Sequence, residues 1–319
     1  MMKPSIIIGG VIFVLIAVVF LAASGGFKQE MRKAENREKF HNPLIIESAA
    51  GEAEYSLSGS GYPVLISHGI TGGIGQCYGL ADMYLPKDKF KIIAASRFGY
   101  GAVLKPEKSD PKSQADAFAA LLDSLKIKKA AVLGNSAGAA ASLQFAINYP
   151  DKCSALIMIS SNVPNEAKMP PQQAMRMFFG SDFLYWGVIR AFGKSMLAMV
   201  GIPQNIAVKM GESEKKGFVD SILMSALPVS KKTDGIINDM YVSNMDMAKG
   251  YDYAKLKVPV LLIHAKDDPM GPFSSAEKIS KLIPECDFMA LNDGGHLLLG
   301  HEEEVRQRAA EFITKNSEK

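Results

Sequence analysis

Residues Ala131–Leu143, AVLGNSAGAAASL, decide the fold. An apolar run ends in a glycine, a serine follows two positions later between small neighbours, and a block of alanines comes next. Gly134-Asn135-Ser136-Ala137-Gly138 fits G-x-S-x-G between an expected strand and an expected helix. There a sharp, strained turn lifts the serine hydroxyl out of the sheet. Glycines at 134 and 138 remove side chains that would collide with the neighbouring strand and helix, and Ala139–Ala141 let the helix pack closely on the sheet. A serine in a glycine turn also arises as a plain capping residue, so the rest of the chain has to decide.

Working outward, LIIES and AEYSL flank a turn and read as a β-hairpin. PVLISHG from Pro63 and KIIAAS from Lys91 are short apolar strands, as are AAVLG, SALIMIS, VPVLLIH and CDFMAL. Continuous apolar runs of this length suit a parallel sheet covered on both faces. SQADAFAALLDSL is an amphipathic helix with Ser113 as its expected cap. Further helices are expected from about Ala137 to Tyr149, Ser274 to Leu282 and Glu302 to Thr314. Strand and helix in rotation imply an α/β fold with a doubly wound, mostly parallel sheet. Between Asn162 and about Lys257 no strand is expected; the segment is helical in character and rich in Met and aromatic residues. After a sheet strand, it suits a cap over the carboxyl edge, with Met and Phe side chains lining an adaptable apolar pocket.

Bulk properties remove several function classes. The 319 residues are 48% hydrophobic and 22% charged, with a net charge of +3. The cations are scattered among acids with no basic stripe, so nucleic acid is not an expected partner. Cys77, Cys153 and Cys286 are few, distant and odd in number, which excludes a disulfide framework and a metal site of ordinary spacing. No phosphate-binding G-x-x-x-x-G-K-[ST] pattern occurs.

The amino terminus stands apart. SIIIGGVIFVLIAVVFLAA, Ser5 to Ala23, carries no charge and is long enough to span a bilayer as a helix. It is expected to be a single-pass anchor, the alternative being a cleaved signal. Lys28, Arg32, Lys33, Arg37 and Lys39 follow it, which by the positive-inside rule places the catalytic domain in the cytoplasm, with a secreted or extracytoplasmic site as the alternative. The expected organisation is an anchor over 1–27, a charged juxtamembrane linker or helix over 28–43, a core over 44–162 and 258–319, and a helical cap over 163–257.

A serine hydroxyl needs a base to become a nucleophile. Of the five histidines, His41 lies in the linker, His68 and His264 end strands, and His301 opens the last helix. His296, in the loop NDGGHLLLG, falls at the same sheet edge as Ser136 and is the expected base. The acid that orients it comes from HAKDDP, with Asp268 preferred and Asp267 as the alternative. The order Ser, Asp, His suits this type of sheet. Oxyanion donors are expected from the N–H of Ala137, at the positive end of the following helix, and of Ile70 in the glycine-rich loop SHGITGG.

In order along the chain, HGITGG, SRFGYG, QADAFAALLDSL, GNSAG, HAKDDP and GGH resemble the α/β-hydrolase superfamily from Leu44 onward, and most of all its bacterial HGxxGG/SRFGY serine hydrolases with a helical cap. The resemblance implies esterase-type acyl transfer on an apolar acyl substrate, through Ser136, His296 and an Asp, with no metal or organic cofactor. It leaves carbon–carbon bond hydrolase, thioesterase, lactonase, cofactor-free haloperoxidase-like and non-catalytic receptor readings open. Serine at the elbow, in place of aspartate, departs from the dehalogenase and epoxide-hydrolase branches. The sequence gives no reading of the oligomeric state.

Overall fold

The computed structural model describes residues 24–102, 105–161 and 169–317. In chain order the core elements are α1 (24–40), β1 (Leu44–Ser48), β2 (Gly51–Ser58), β3 (Tyr62–Ser67), α2 (Ile74–Tyr84), β4 (Phe90–Ala95), α3 (Pro111–Ser124), β5 (Ala130–Asn135), α4 (Gly138–Asn148) and β6 (Cys153–Ile159). A helical segment, at the place expected of the cap, then carries α5 (Gln172–Phe179), α6 (Asp182–Phe192), α7 (Gln204–Ala207), α8 (Glu212–Phe218), α9 (Thr233–Asn238) and α10 (Asn244–Lys249). The core resumes with β7 (Val260–Ala265), α11 (Phe273–Leu282), β8 (Cys286–Leu291) and α12 (Glu302–Ser317).

The eight strands form one sheet in the order β1-β2-β4-β3-β5-β6-β7-β8. The β1–β2 hairpin and the β2–β4 pair are antiparallel; from β4 through β8 every pair is parallel. The parallel strands are apolar without a break because both faces are covered. Leu65, Val132, Leu156 and Leu262 pack under α3, α4 and α11, while Ile66, Leu133, Ile157 and Ile263 pack under α2 and α12. Alternate residues of each strand thus feed opposite layers.

From β3 the chain moves to one side to build β4, then returns to build β5 on the other side. The loops after β3 and β5 therefore diverge at a topological switch point, where open α/β sheets bind ligands. Those two loops carry Ile70 and Ser136.

Helix α3 begins two residues before its expected cap. Asp110 Oδ1 accepts the N–H of Ser113 at 2.7 Å and Pro111 takes the first helical position, so Asp110, not Ser113, is the cap.

The charged segment after the expected anchor is helical over 24–40. One face of it, Phe27, Met31 and Ala34, packs into the core of the cap beside Trp186, with Phe27 and Trp186 ring centroids 5.7 Å apart. Arg37 donates to the carbonyl of Met224, and Glu38 pairs with Lys231. The expectation of a single-pass anchor is corrected. Among the described residues no helix is long and apolar enough to cross a membrane. The segment Ser5–Ala23, on which the anchor and the cytoplasmic placement rested, lies outside the described residues.

Candidate active site

Ser136 sits between β5 and α4 with φ 49°, a left-handed conformation that costs an L-residue about 1–2 kcal/mol. Its N–H is tied to the carbonyl of Ile159 at 3.1 Å, which fixes the turn on the neighbouring strand β6. Behind it Gly138 crosses the end of β3: a Cβ there would lie 2.3 Å from the carbonyl oxygen of Ser67. The hydroxyl is left half-exposed at the carboxyl edge.

His296 reaches that edge from the loop after β8. Its Nε2 lies 2.9 Å from Ser136 Oγ and its Nδ1 2.8 Å from Asp268 Oδ2. A carboxylate can only accept, so Nδ1 carries the proton and donates it to Asp268, leaving the Nε2 lone pair to accept the Ser136 hydroxyl. Burial pushes the Asp268 carboxyl up, but the hydrogen bond and charge of His296, with His264 and the Met270 N–H, together outweigh it and hold the group below its ordinary value. The other oxygen, Oδ1, accepts the N–H of Met270 at 2.8 Å and of Gly271 at 3.1 Å. Asp268 thus opens its own Asp-Pro turn and aims its free oxygen at the imidazole.

Asp267 does something else. Its Oδ1 accepts the N–H of Gly295 at 2.8 Å, pinning the loop that carries His296. Of the two acids, Asp268 holds the imidazole and Asp267 holds the backbone.

Histidines 68 and 264 are buried, as their strand-end positions imply. The backbone N–H of Arg97 donates to His68 Nε2 at 3.2 Å, so Nδ1–H donates to the Gly69 carbonyl at 2.8 Å. Burial, reinforced by Arg97, holds His68 well below its ordinary pKa and keeps it neutral. His264 Nε2 donates to the Gly271 carbonyl at 2.9 Å and lies 3.4 Å from Asp268 Oδ2. Its side chain braces the turn around the acid.

A cavity of about 100 Å³ opens onto Ser136, lined by Ile70, Ala137, Ser161, Asp239, Asn244, Met270, Gly271 and His296. Both expected oxyanion positions, Ile70 and Ala137, border it together with Ser136. The expectation that Met and Phe side chains of the helical segment line the pocket is corrected among the described residues: the Met at the cavity, Met270, follows β7. Tyr185, Trp186, Ile189, Leu197, Met210 and Met224 pack among themselves and against α1 to make the cap's own core. Asp239 and Asn244 are what the cap turns toward Ser136 among the described residues.

Sequence reasoning gave no role to Arg97 or Asp239. Helices α9 and α10 run on through a π-helical turn, Asp239–Ser243, which starts at Asp239. The Asp239 carboxylate accepts Arg97 Nη1 at 2.5 Å, Arg97 Nη2 at 2.6 Å and the Tyr100 hydroxyl at 2.5 Å. Arg97 and Tyr100 belong to SRFGYG, whose glycine-punctuated turn after β4 was the available signal. Among the described residues no group of three or more His, Cys, Asp or Glu could hold a metal ion.

A family model for the alpha/beta hydrolase fold matches residues 62–302. The chain belongs to this family and is an α/β-fold hydrolase. A 2-hydroxy-6-oxo-6-(2'-aminophenyl)hexa-2,4-dienoic acid hydrolase of Metapseudomonas resinovorans is 23% identical over 301 residues, covering 89% of this chain and 95% of that one. A thermophilic esterase from Thermogutta terrifontis superposes with a TM-score of 0.64 at 21% identity, over 86% of this chain and 99% of the esterase. The enol-lactonase from Burkholderia xenovorans superposes with a TM-score of 0.62 at 12% identity, over 85% of this chain and 100% of the lactonase.

Proposed function

We propose that the protein is a serine hydrolase of short carboxylic esters. The observation that carries this reading is the hydrogen-bonded line from Ser136 Oγ through His296 to Asp268, set at the switch point of the sheet. Ser136 attacks the ester carbonyl while its proton passes to His296 Nε2. Asp268 stabilises the imidazolium that forms. The oxyanion is held by the N–H groups of Ile70 and Ala137, the latter at the positive end of α4. His296 then gives its proton to the leaving alcohol, and water activated by the same imidazole releases the acid.

Cavity size argues for a short acyl group. A cavity of about 150 Å³ accommodates benzene, so about 100 Å³ suits an acetyl or butyryl group better than a lipid chain. Polarity argues for a neutral substrate. An acid of the kind named for the Metapseudomonas relative would bring a carboxylate that finds no Lys or Arg among the residues lining the described cavity.

The test is a panel of p-nitrophenyl acetate, butyrate and octanoate, a thioester and a lactone, with Ser136→Ala and a fluorophosphonate label as controls. The expected result is acetate and butyrate turnover at least about tenfold above octanoate, with turnover and labelling lost in Ser136→Ala. Labelling that survives the substitution, or labelling with no acyl turnover in the parent protein, overturns the assignment.

A further inference from the structure

The peptide unit between Gly69 and Ile70 is held through its carbonyl and flanked by further contacts along the loop. The Gly69 carbonyl accepts from Arg97 Nη2 at 3.1 Å and from His68 Nδ1 at 2.8 Å. The Gly69 N–H donates to Gln76 Oε1 at 2.6 Å. One residue on, the Thr71 carbonyl lies 3.4 Å from Lys232 Nζ of the cap. Ile70 itself borders the cavity beside Ser136.

A trans peptide is planar, and its carbonyl and N–H point in opposite directions. Whatever holds the Gly69 carbonyl therefore aims the Ile70 N–H. His68 and Arg97 share the holding of that carbonyl, and Arg97 is in turn held by a residue 142 positions away. Asp239 takes both of its terminal nitrogens in a bidentate pair, with Arg97 4% and Asp239 1% exposed. A fork-on-fork contact of this kind fixes direction as well as distance. Tyr100 closes the third side by donating to Asp239, and its ring lies 5.1 Å under the guanidinium.

We propose that Asp239, reaching from the cap, is a positioning residue for the oxyanion-binding peptide, acting through Arg97 on the Gly69 carbonyl so that the Ile70 N–H faces the reacting carbonyl. The inference rests on the reading of Ser136 as the nucleophile. It makes the cap part of the catalytic geometry and not only a cover. A cation bound to the Gly69 carbonyl also polarises the peptide, which strengthens the N–H as a donor.

The cap is joined to the core by other contacts that provide the control. Asn238 Nδ2 donates to the Ser109 carbonyl at 2.8 Å, and the Ser109 hydroxyl donates to Asn238 Oδ1 at 2.8 Å. Asn238→Ala loosens cap docking without touching Arg97. A purely structural role for the ion pair predicts the same outcome for both kinds of variant.

Removing one partner leaves a buried charge uncompensated and risks unfolding, whereas replacing both by apolar groups is often tolerated. The test therefore uses the double variant Arg97→Met/Asp239→Leu together with Asp239→Asn and Asn238→Ala, each compared with the parent by melting temperature and active-site titration. With p-nitrophenyl acetate, kcat is expected to fall ~10–100-fold in the double variant while KM stays within about threefold, since a misaimed donor loses part of what a deleted one loses. Affinity for a trifluoromethyl ketone, which presents a tetrahedral oxyanion, is expected to fall by the same factor. Asp239→Asn is expected to fall between the double variant and the parent, and Asn238→Ala to lower the melting temperature with kcat retained.

An unchanged kcat per active site in the double variant overturns the inference, as does a loss in Asn238→Ala of the same size. Failure of the parent protein to turn over any ester overturns the proposed function instead. The Ile70 amide resonance of 15N-isoleucine protein then decides the positioning: a shift in the double variant but not in Asn238→Ala supports it, and an unmoved resonance overturns it.

Discussion

The carbonyl oxygen of Gly201, in the cap, accepts the backbone N–H of His296 at 2.9 Å. The two residues are so close that a Cβ on Gly201 would lie 2.1 Å from the Cβ of His296. Gly201 also has φ 90°, a left-handed conformation suited to glycine. The cap thus touches the proposed base directly. Gly201→Ala is expected to displace His296 and lower kcat for p-nitrophenyl acetate by about 100-fold, the usual scale for a ~1 Å misplacement. Circular dichroism and the melting temperature check that the folded fraction is unchanged. Full activity in the variant would mean that the Gly201 contact does not set the position of His296.

The neighbouring acids make separable predictions. Asp268→Asn replaces an acceptor with an amide that can present a donor to Nδ1, favouring the wrong imidazole tautomer, and kcat is expected to fall about 10⁴-fold. Asp267→Asn keeps an oxygen for the Gly295 N–H and touches the imidazole only through the loop, so a loss of about tenfold or less is expected. Steady-state kinetics on both variants check the order. A larger loss for Asp267→Asn would reverse the assignment.

What the sequence discloses depends on how local the signal is. Strand, sharp turn and helix around Ser136 are contiguous, and so are HAKDDP and GGH, so each could be placed at the sheet edge from pattern alone. The choice between Asp267 and Asp268 needs distances, since adjacent residues after a strand can point either way. Asp110-Pro111 marked the start of α3 more strongly than Ser113, by ordinary capping and proline rules. The Met-rich block signals burial but not its partner. Tyr185, Trp186, Met210 and Met224 face one another and α1, while Met177, Phe192 and Met199 are exposed, and the cavity receives Asp239 and Asn244 instead. The Arg97–Asp239 pair has no local signature, because its members meet only after the cap folds back across 142 positions.

Strain at the elbow gives a stability prediction. Ser136→Ala and Ser136→Gly both remove the hydroxyl and its contact with His296, but only glycine relieves the left-handed backbone at φ 49°. Ser136→Gly is expected to be more stable than Ser136→Ala by about 1 kcal/mol, with both inactive. Chemical denaturation of the two variants checks it. Equal midpoints would show that the turn stores no strain at this residue.

Lys232 makes stability depend on pH with a definite sign. Burial lowers its pKa from 10.5 to about 8, opposed by Glu38 and reinforced by Arg37. The ammonium donates to the carbonyl of Ala226 at 2.9 Å and lies 3.4 Å from that of Thr71. Below pH 8 the lysine is charged in both folded and unfolded chains, and the full cost of burying the charge stands. Between about pH 8 and 10.5 the folded chain releases its proton while the unfolded chain keeps it. Stability contributed by this residue therefore rises with pH across that window, by on the order of 3 kcal/mol. Other groups titrate in the same range, so the test is a difference. Lys232→Met removes the buried charge, and its stability relative to the parent is expected to be most favourable near pH 7 and to decline steadily up to pH 10.5. Urea unfolding of both proteins at pH 7, 8.5 and 10 reads that difference. Parallel pH profiles would mean that Lys232 keeps its ordinary pKa in the folded protein.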